Sequence, residues 1–153
     1  VIKVYVAGAY TAPTVVQVLE NMRRGIDAAV QVAKLGMAPY CPWLDFQYGL
    51  VSAMPVEVYK EISMEWLRAS DAVLVVPGWE NSEGTKAEIQ EAVNRDIPVF
   101  FSLRSLVRWT MGQIDDYVND ELAKVIENWY VEERIKWIGA PAPGSKTRMG
   151  VCS

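Results

Sequence analysis

The chain has 153 residues and not one histidine. That absence excludes a Ser-His-Asp triad, a Cys-His pair and any histidine-ligated metal site. Acid–base or nucleophilic work near neutral pH then falls to Asp, Glu, Tyr, Lys or Cys. Cysteine is almost absent as well: Cys41 sits at a strand end and Cys152 in the tail. Two such distant thiols form neither a disulfide framework nor a metal cluster, and they fit a reducing, cytoplasmic setting. No apolar run reaches about 18 residues, so no membrane span is expected. No basic segment precedes the apolar opening Val1 to Ala7, which therefore does not read as a secretory signal. Basic tracts are missing too. Arg23-Arg24 is the nearest approach to one, and the net charge is −4, which argues against nonspecific nucleic-acid binding. A small anionic ligand, needing only a few donors, stays open. Neither G-x-G-x-x-G nor the P-loop pattern occurs, so neither dinucleotide binding nor a Walker-type NTPase is supported.

What is present is a chain 51% hydrophobic, enough to build one core. Ile2 to Ala7 reads as a buried parallel strand ending at Gly8. Val15 to Leu35 has helical spacing (Val18, Met22, Ile26, Ala29, Ala33), and Gly36 closes it as a C′ glycine. Met37 to Cys41 is a short strand, and Trp43 to Pro55 is irregular and aromatic. Val56 to Ala69 is helical, with Val58, Ile62, Trp66 and Leu67 as its apolar points. Ala72 to Val76 is the clearest strand, Gly84 to Arg95 a helix and Ile97 to Phe101 a further strand. Beyond Phe101 the pattern weakens. A long helix is expected over Asp115 to Trp137, followed by a Pro/Gly-containing tail, so residues 1–138 form one domain and 139–153 a mobile tail.

Strand–helix alternation predicts an α/β fold with an open parallel sheet of four to five strands and helices on both faces. In such sheets ligands bind at the carboxyl ends of the strands, near the topological switch point. Three segments follow carboxyl ends: Gly8-Ala9-Tyr10, Pro42 to Tyr48, and Pro77 to Glu88. All three should share one crevice.

Small polar residues before Glu88 can present backbone N–H groups to an anion, and Ser82 or Asn81 can cap the helix. Glu88, near that helix N-terminus, is expected as a stabilised anion, suited to a nucleophile. By residue type alone Glu83, Glu88 and Glu91 are equivalent, and an ordinary solvated glutamate is the simpler reading of each. Tyr10 can stack on or hydrogen-bond to a ligand. Trp43, Asp45, Phe46 and Tyr48 place aromatics around one carboxylate, which suits a base or sugar ring, or equally a hydrophobic contact. Arg23 or Arg24 could reach a phosphate, although a solvated pair is the simpler reading. Among six tryptophans, Trp109, Trp129 and Trp137 hint at an oligomer interface.

V-Y-V-A-G-A-Y at the start, W-L-R-A-S-D-A-V-L-V-V-P-G-W-E in the middle and S-E-G-T-K-A-E-I-Q-E-A after it together resemble the nucleoside 2-deoxyribosyltransferase superfamily. The chain is most similar to the 2′-deoxynucleoside 5′-monophosphate N-glycosidases and to small phage and bacterial relatives. The likeness runs from about Val1 to Leu103. It implies a flavodoxin-like sheet and a homo-oligomer, a dimer or larger. It implies hydrolysis of the N-glycosidic bond of a (2′-deoxy)nucleoside 5′-monophosphate, without metal or cofactor. Glu88 takes the catalytic glutamate's place in G-x-x-x-E. Gly8, Ala9 and Tyr10 match the loop lining the sugar and phosphate pocket. Ser82 stands where transferases carry an aspartate for the 5′-hydroxyl and monophosphate hydrolases a serine for the phosphate; a hydroxyl donates to a phosphate where an aspartate would repel it. N–H groups near Gly84 would join Ser82 in holding the phosphate, and Trp43 is a candidate substrate contact. The family's usual aspartate in the helix before the third strand is Ser63 here, so Asp45 is the candidate acid–base partner. Base exchange between deoxynucleosides, cleavage of a nicotinamide–ribose bond and a noncatalytic nucleotide sensor are the alternatives.

Overall fold

The computed structural model describes residues 1–112. The long helix expected over Asp115 to Trp137, the tail, Trp129, Trp137 and Cys152 lie outside the described residues. Within them the chain runs β1 (Lys3–Ala7), α1 (Val15–Lys34), β2 (Ala38–Tyr40), a 3-10 segment (Pro42–Leu50), α2 (Val56–Arg68), β3 (Ala72–Val75), α3 (Glu83–Asn94), β4 (Val99–Phe100) and α4 (Leu103–Thr110). The four strands form one parallel sheet in the order β2-β1-β3-β4. This is the flavodoxin-like order, and the switch point falls between β1 and β3.

Strands β1, β3 and β4 are buried on both faces, which is why they read as apolar runs, whereas the edge strand β2 stays half-exposed. Val4, Ala72, Leu74 and Phe100 face α1 and α4, packing with Val32, Met37 and Leu106. Tyr5, Ala7, Val73, Val75 and Val99 face α2 and α3, packing with Leu67, Ile89 and Ala92. The pleat therefore sorts odd from even positions of β1 onto different layers.

Helix ends follow from local chemistry. Thr14, Ser82 and Ser102 cap α1, α3 and α4, each accepting a backbone N–H three residues on. Asn81 is not the cap of α3; Ser82 is. At the end of α1, Gly36 adopts φ +79°, and the Met37 N–H reaches back to the Val32 carbonyl at 3.3 Å, a Schellman closure. Asp96 does the same for α3 at φ +57°, with Ile97 N–H on the Ala92 carbonyl at 2.9 Å.

Three features depart from the periodicity. The aromatic segment after Cys41 is helical in the 3-10 sense rather than irregular. Helix α4 follows β4 where the pattern weakens, because eight residues give too short a window for periodicity to register. On α2 only Leu67 is fully buried, while Trp66 and Val58 are exposed. Trp109 packs on Phe100 of its own sheet, with ring centroids 5.5 Å apart, so its ring is engaged within the subunit. No helix of the described residues is long and apolar enough to cross a membrane.

Candidate active site

The three segments after the strand ends do converge. Trp43 is the piece that joins them. Its indole N–H donates to the Ala9 carbonyl at 3.2 Å, and its ring lies buried with Val6, Ala29, Cys41 and Val76. A Cβ on Gly25 would come 2.4 Å from this ring, and one on Gly8 would come 2.3 Å from Val76. Both glycines are there to let α1 and the β1 turn close on the indole. Trp43, a candidate substrate contact, is only 2% exposed; in the structure it carries the Gly8-Ala9-Tyr10 turn from beneath. Tyr10 stands exposed at the rim. Arg24 donates to the Pro77 carbonyl at 3.0 Å, tying α1 to the turn after β3. Arg23 pairs instead with Glu20 on the open face of α1.

The glutamates of α3 are not equivalent once folded. Glu83 is exposed and pairs with Lys86 at 3.0 Å. Glu91 sits between Arg68 and Arg95, at 2.6 and 2.5 Å, and these cations hold its carboxyl below the usual range. Glu88 has a phenol for its partner: the Tyr5 hydroxyl donates to its Oε1 at 2.6 Å. Burial pushes the Glu88 pKa up to about 7, against a lowering by the Tyr5 bond. The expectation of an anion stabilised by the helix N-terminus is thereby corrected. Glu88 lies in the second turn after the Ser82 cap, beyond the reach of the terminal dipole, and loss of solvent dominates. The residue as a whole is half-buried.

Ser82 holds a second kind of chemistry. Its Oγ accepts from the Thr85 N–H at 3.3 Å and from the Thr85 hydroxyl at 2.9 Å. With both acceptor positions engaged, what the hydroxyl can offer a ligand is its proton. Beside it, Gly84 is open: a Cβ there would meet nothing nearer than Ser82 Oγ at 3.9 Å. The first N–H groups of α3 have no acceptor inside the helix.

A third group comes from β2 and the 3-10 segment. The Tyr40 hydroxyl donates to Asp45 Oδ2 at 2.5 Å. Partial burial raises the Asp45 pKa, and the Tyr40 bond opposes this. Tyr40 stacks between Tyr5, at 5.7 Å, and Trp66, at 5.3 Å. Tyr5 and Tyr40 occupy paired positions of β1 and β2, so they share one face of the sheet. Tyr5, Tyr40 and Thr85 are site residues that sequence reasoning passed over. The available signal was a phenol in a strand otherwise aliphatic, since a buried hydroxyl requires a partner. Among the described residues, no group of three or more Cys, Asp or Glu side chains comes together to hold a metal ion.

Residues 2–101 match the family described as Domain of unknown function (DUF4406). The chain belongs to that family. The match contains all four strands and every residue of the site just described. A solved structure of a 2-deoxyribosyltransferase from the psychrotolerant bacterium Bacillus psychrosaccharolyticus is similar at 14% identity with a TM-score of 0.48. The similarity covers 63% of this chain and 69% of that one. No curated protein matches the chain.

Proposed function

We propose that this DUF4406 protein is a cytoplasmic N-glycosidase acting on (2′-deoxy)nucleoside 5′-monophosphates, with Glu88 as nucleophile. The observation that carries the reading is the setting of Glu88. Unlike Glu83 and Glu91 of the same helix, it is bonded to a buried phenol and has a pKa of about 7. A carboxyl poised there supplies a reactive carboxylate at working pH. Its carboxylate attacks C1′ as the C1′–N bond breaks through an oxocarbenium-like transition state. The departing base takes a proton, for which Asp45, itself raised in pKa, is the candidate acid. Water, giving its proton to the ionised Asp45, then hydrolyses the glycosyl ester, releasing sugar 5-phosphate and restoring both carboxyls. Ser82, with its acceptor positions filled by Thr85, and the open N–H groups at Gly84 receive the phosphate. Gly8, Ala9 and Tyr10 close over the sugar. Exposed Phe46, Leu50 and Val51 beside the site, with Val15, Val16 and Leu19 on α1, support assembly into a homo-oligomer.

The test is chromatographic detection of base release from every ribo- and deoxyribonucleoside monophosphate, with Glu88→Ala beside the wild type. Release from one substrate, lost in the variant, is the expected result. Release that survives Glu88→Ala would refute the assignment. Adding a second base to the assay separates hydrolysis from base exchange, since both begin with the same Glu88 step and differ in whether water or a base accepts the sugar.

A further inference from the structure

Helix α1 reaches both walls of the crevice from one face. Arg24 and Gly25 follow Asn21 by three and four positions, which sets all three on the same side of the helix. Asn21 donates to the Tyr10 carbonyl at 3.4 Å and Arg24 to the Pro77 carbonyl at 3.0 Å. Gly25 admits the Trp43 ring, whose N–H donates to the Ala9 carbonyl at 3.2 Å. The turn after β1 and the turn after β3 are thus tied to three residues of one element. We propose that this face of α1 sets the width of the crevice, with Arg24 the positioning residue for the turn over residues 77–82 that presents the phosphate-binding groups.

This rests on the reading of Ser82 and Gly84 as the phosphate site and adds what holds them in place. Arg23 pairs with Glu20. Arg24, half-buried beside it, spends its charge on the neutral Pro77 carbonyl, a charge-assisted bond from a rigid planar donor. The turn is shaped to receive that donor. Gly78 follows at φ +90°, where a side chain is strained, and a Cβ there would also come 2.6 Å from Arg24 Nη1. Glycine is therefore required at 78 twice over, by the backbone and by the guanidinium. Beyond it, Trp79 is buried against Phe101. The Trp79 carbonyl accepts the Ser82 N–H at 2.8 Å, and Ser82 caps α3. A short, bonded path thus runs from Arg24 to Ser82.

Pro77 and Gly78 are themselves exposed, so without the guanidinium water takes over the Pro77 carbonyl and the turn is free to drift from the Tyr10 wall. Glu88 is held from a different element, by Tyr5 of β1. Loss of Arg24 should therefore loosen the grip on the phosphate and spare the step at C1′. A displacement of about 1 Å in a substrate-positioning group is enough for an effect of up to about a hundredfold.

The experiment compares the full chain with Arg24→Met, which keeps the apolar stem and removes every donor, and Arg24→Lys, which restores one charged donor. In the free protein, amide hydrogen exchange at Ser82 should quicken at least about tenfold in Arg24→Met, with the β1 amides unchanged. The dissociation constant for inorganic phosphate, followed at the Gly84 amide, should rise at least about tenfold. In turnover, KM for the monophosphate should rise by a similar factor with kcat within about threefold. Arg24→Lys should recover part of each effect. Unchanged exchange at Ser82 would overturn the proposal, and with weakened phosphate binding it would make Arg24 a direct phosphate contact instead. Faster exchange spread through β1 would show a merely structural role and overturn it, as would no phosphate binding by the wild type. Exchange and phosphate binding need no substrate, so both effects without base release would retain the α1 clamp and remove the N-glycosidase reading. Base release with neither effect would do the reverse.

Discussion

Glu88→Gln is expected to stabilise the fold in alkali and leave it unchanged in acid. The Glu88 carboxyl moves from an ordinary 4.5 to about 7 on folding because burial disfavours its charge. A folded-state pKa above the unfolded value means that the native state binds the proton more tightly. The corresponding stability is fully present below about pH 4.5 and is lost as pH rises through about 7. At about 1.4 kcal/mol per pH unit, a carboxyl so displaced costs the wild type about 3 kcal/mol above pH 8. That is a large share of the roughly 5–15 kcal/mol by which such domains are stable. Glutamine keeps an acceptor for the Tyr5 hydroxyl and carries no charge, so it removes this cost. The assay is urea denaturation of both proteins at several pH values from 4.5 to 8.5. Groups such as Glu91 and Asp45 titrate in both proteins and cancel in the difference. The two stability curves should meet in acid and diverge by up to about 3 kcal/mol in alkali. Parallel curves across the whole range would refute a desolvated Glu88.

Under the proposed function, kcat/KM should rise with pH through about 7 as Glu88 ionises. Tyr5→Phe removes the bond that lowers the Glu88 pKa, so it should move this limb to higher pH and cost about ten- to a hundredfold in rate, read from a pH–rate profile. Ser82→Asp preserves a helix cap but sets an anion against the phosphate; KM for the monophosphate should rise at least about tenfold with thermal stability little changed, whereas Ser82→Ala should also cost about 1 kcal/mol of stability. Gly25→Ala, whose Cβ would come 2.4 Å from the Trp43 ring, should destabilise by about 1–3 kcal/mol in denaturant titration. Asp96→Gly, at φ +57°, should stabilise by about 0.5–1 kcal/mol by relieving a left-handed conformation.

The layers of the fold were legible because buried parallel strands and capped helices leave local marks. AVLVV gave β3, and Gly36 gave the end of α1. The sheet order came only through the resemblance, since it depends on long-range pairing that leaves no local mark. At the site, Glu88 could be placed only by resemblance: among three glutamates on α3, what separates them is which cations fold against which, and Arg68 comes from another helix. Trp43 looked like a ligand platform because aromatic residues near a carboxylate serve pockets and cores alike; only Gly25, eighteen positions away on α1, reveals that it is enclosed. Ser63 read as a lost aspartate. Tyr5 and Tyr40 stand on separate strands that no spacing rule connects, so their pairing had no local mark.

The pleat that separates the two layers also makes the site a check on strand alignment. Tyr5 pairs with Tyr40, and their hydroxyls find Glu88 and Asp45 on one layer only. A slip of β2 by one residue would turn Tyr40 toward the aliphatic α1 layer, leaving a phenol without an acceptor and Asp45 without its donor. Misaligned chains would thus be penalised by the same hydroxyls that prepare the carboxyls for chemistry. Replacing both tyrosines by phenylalanine would then loosen the choice of register as well as silence the site.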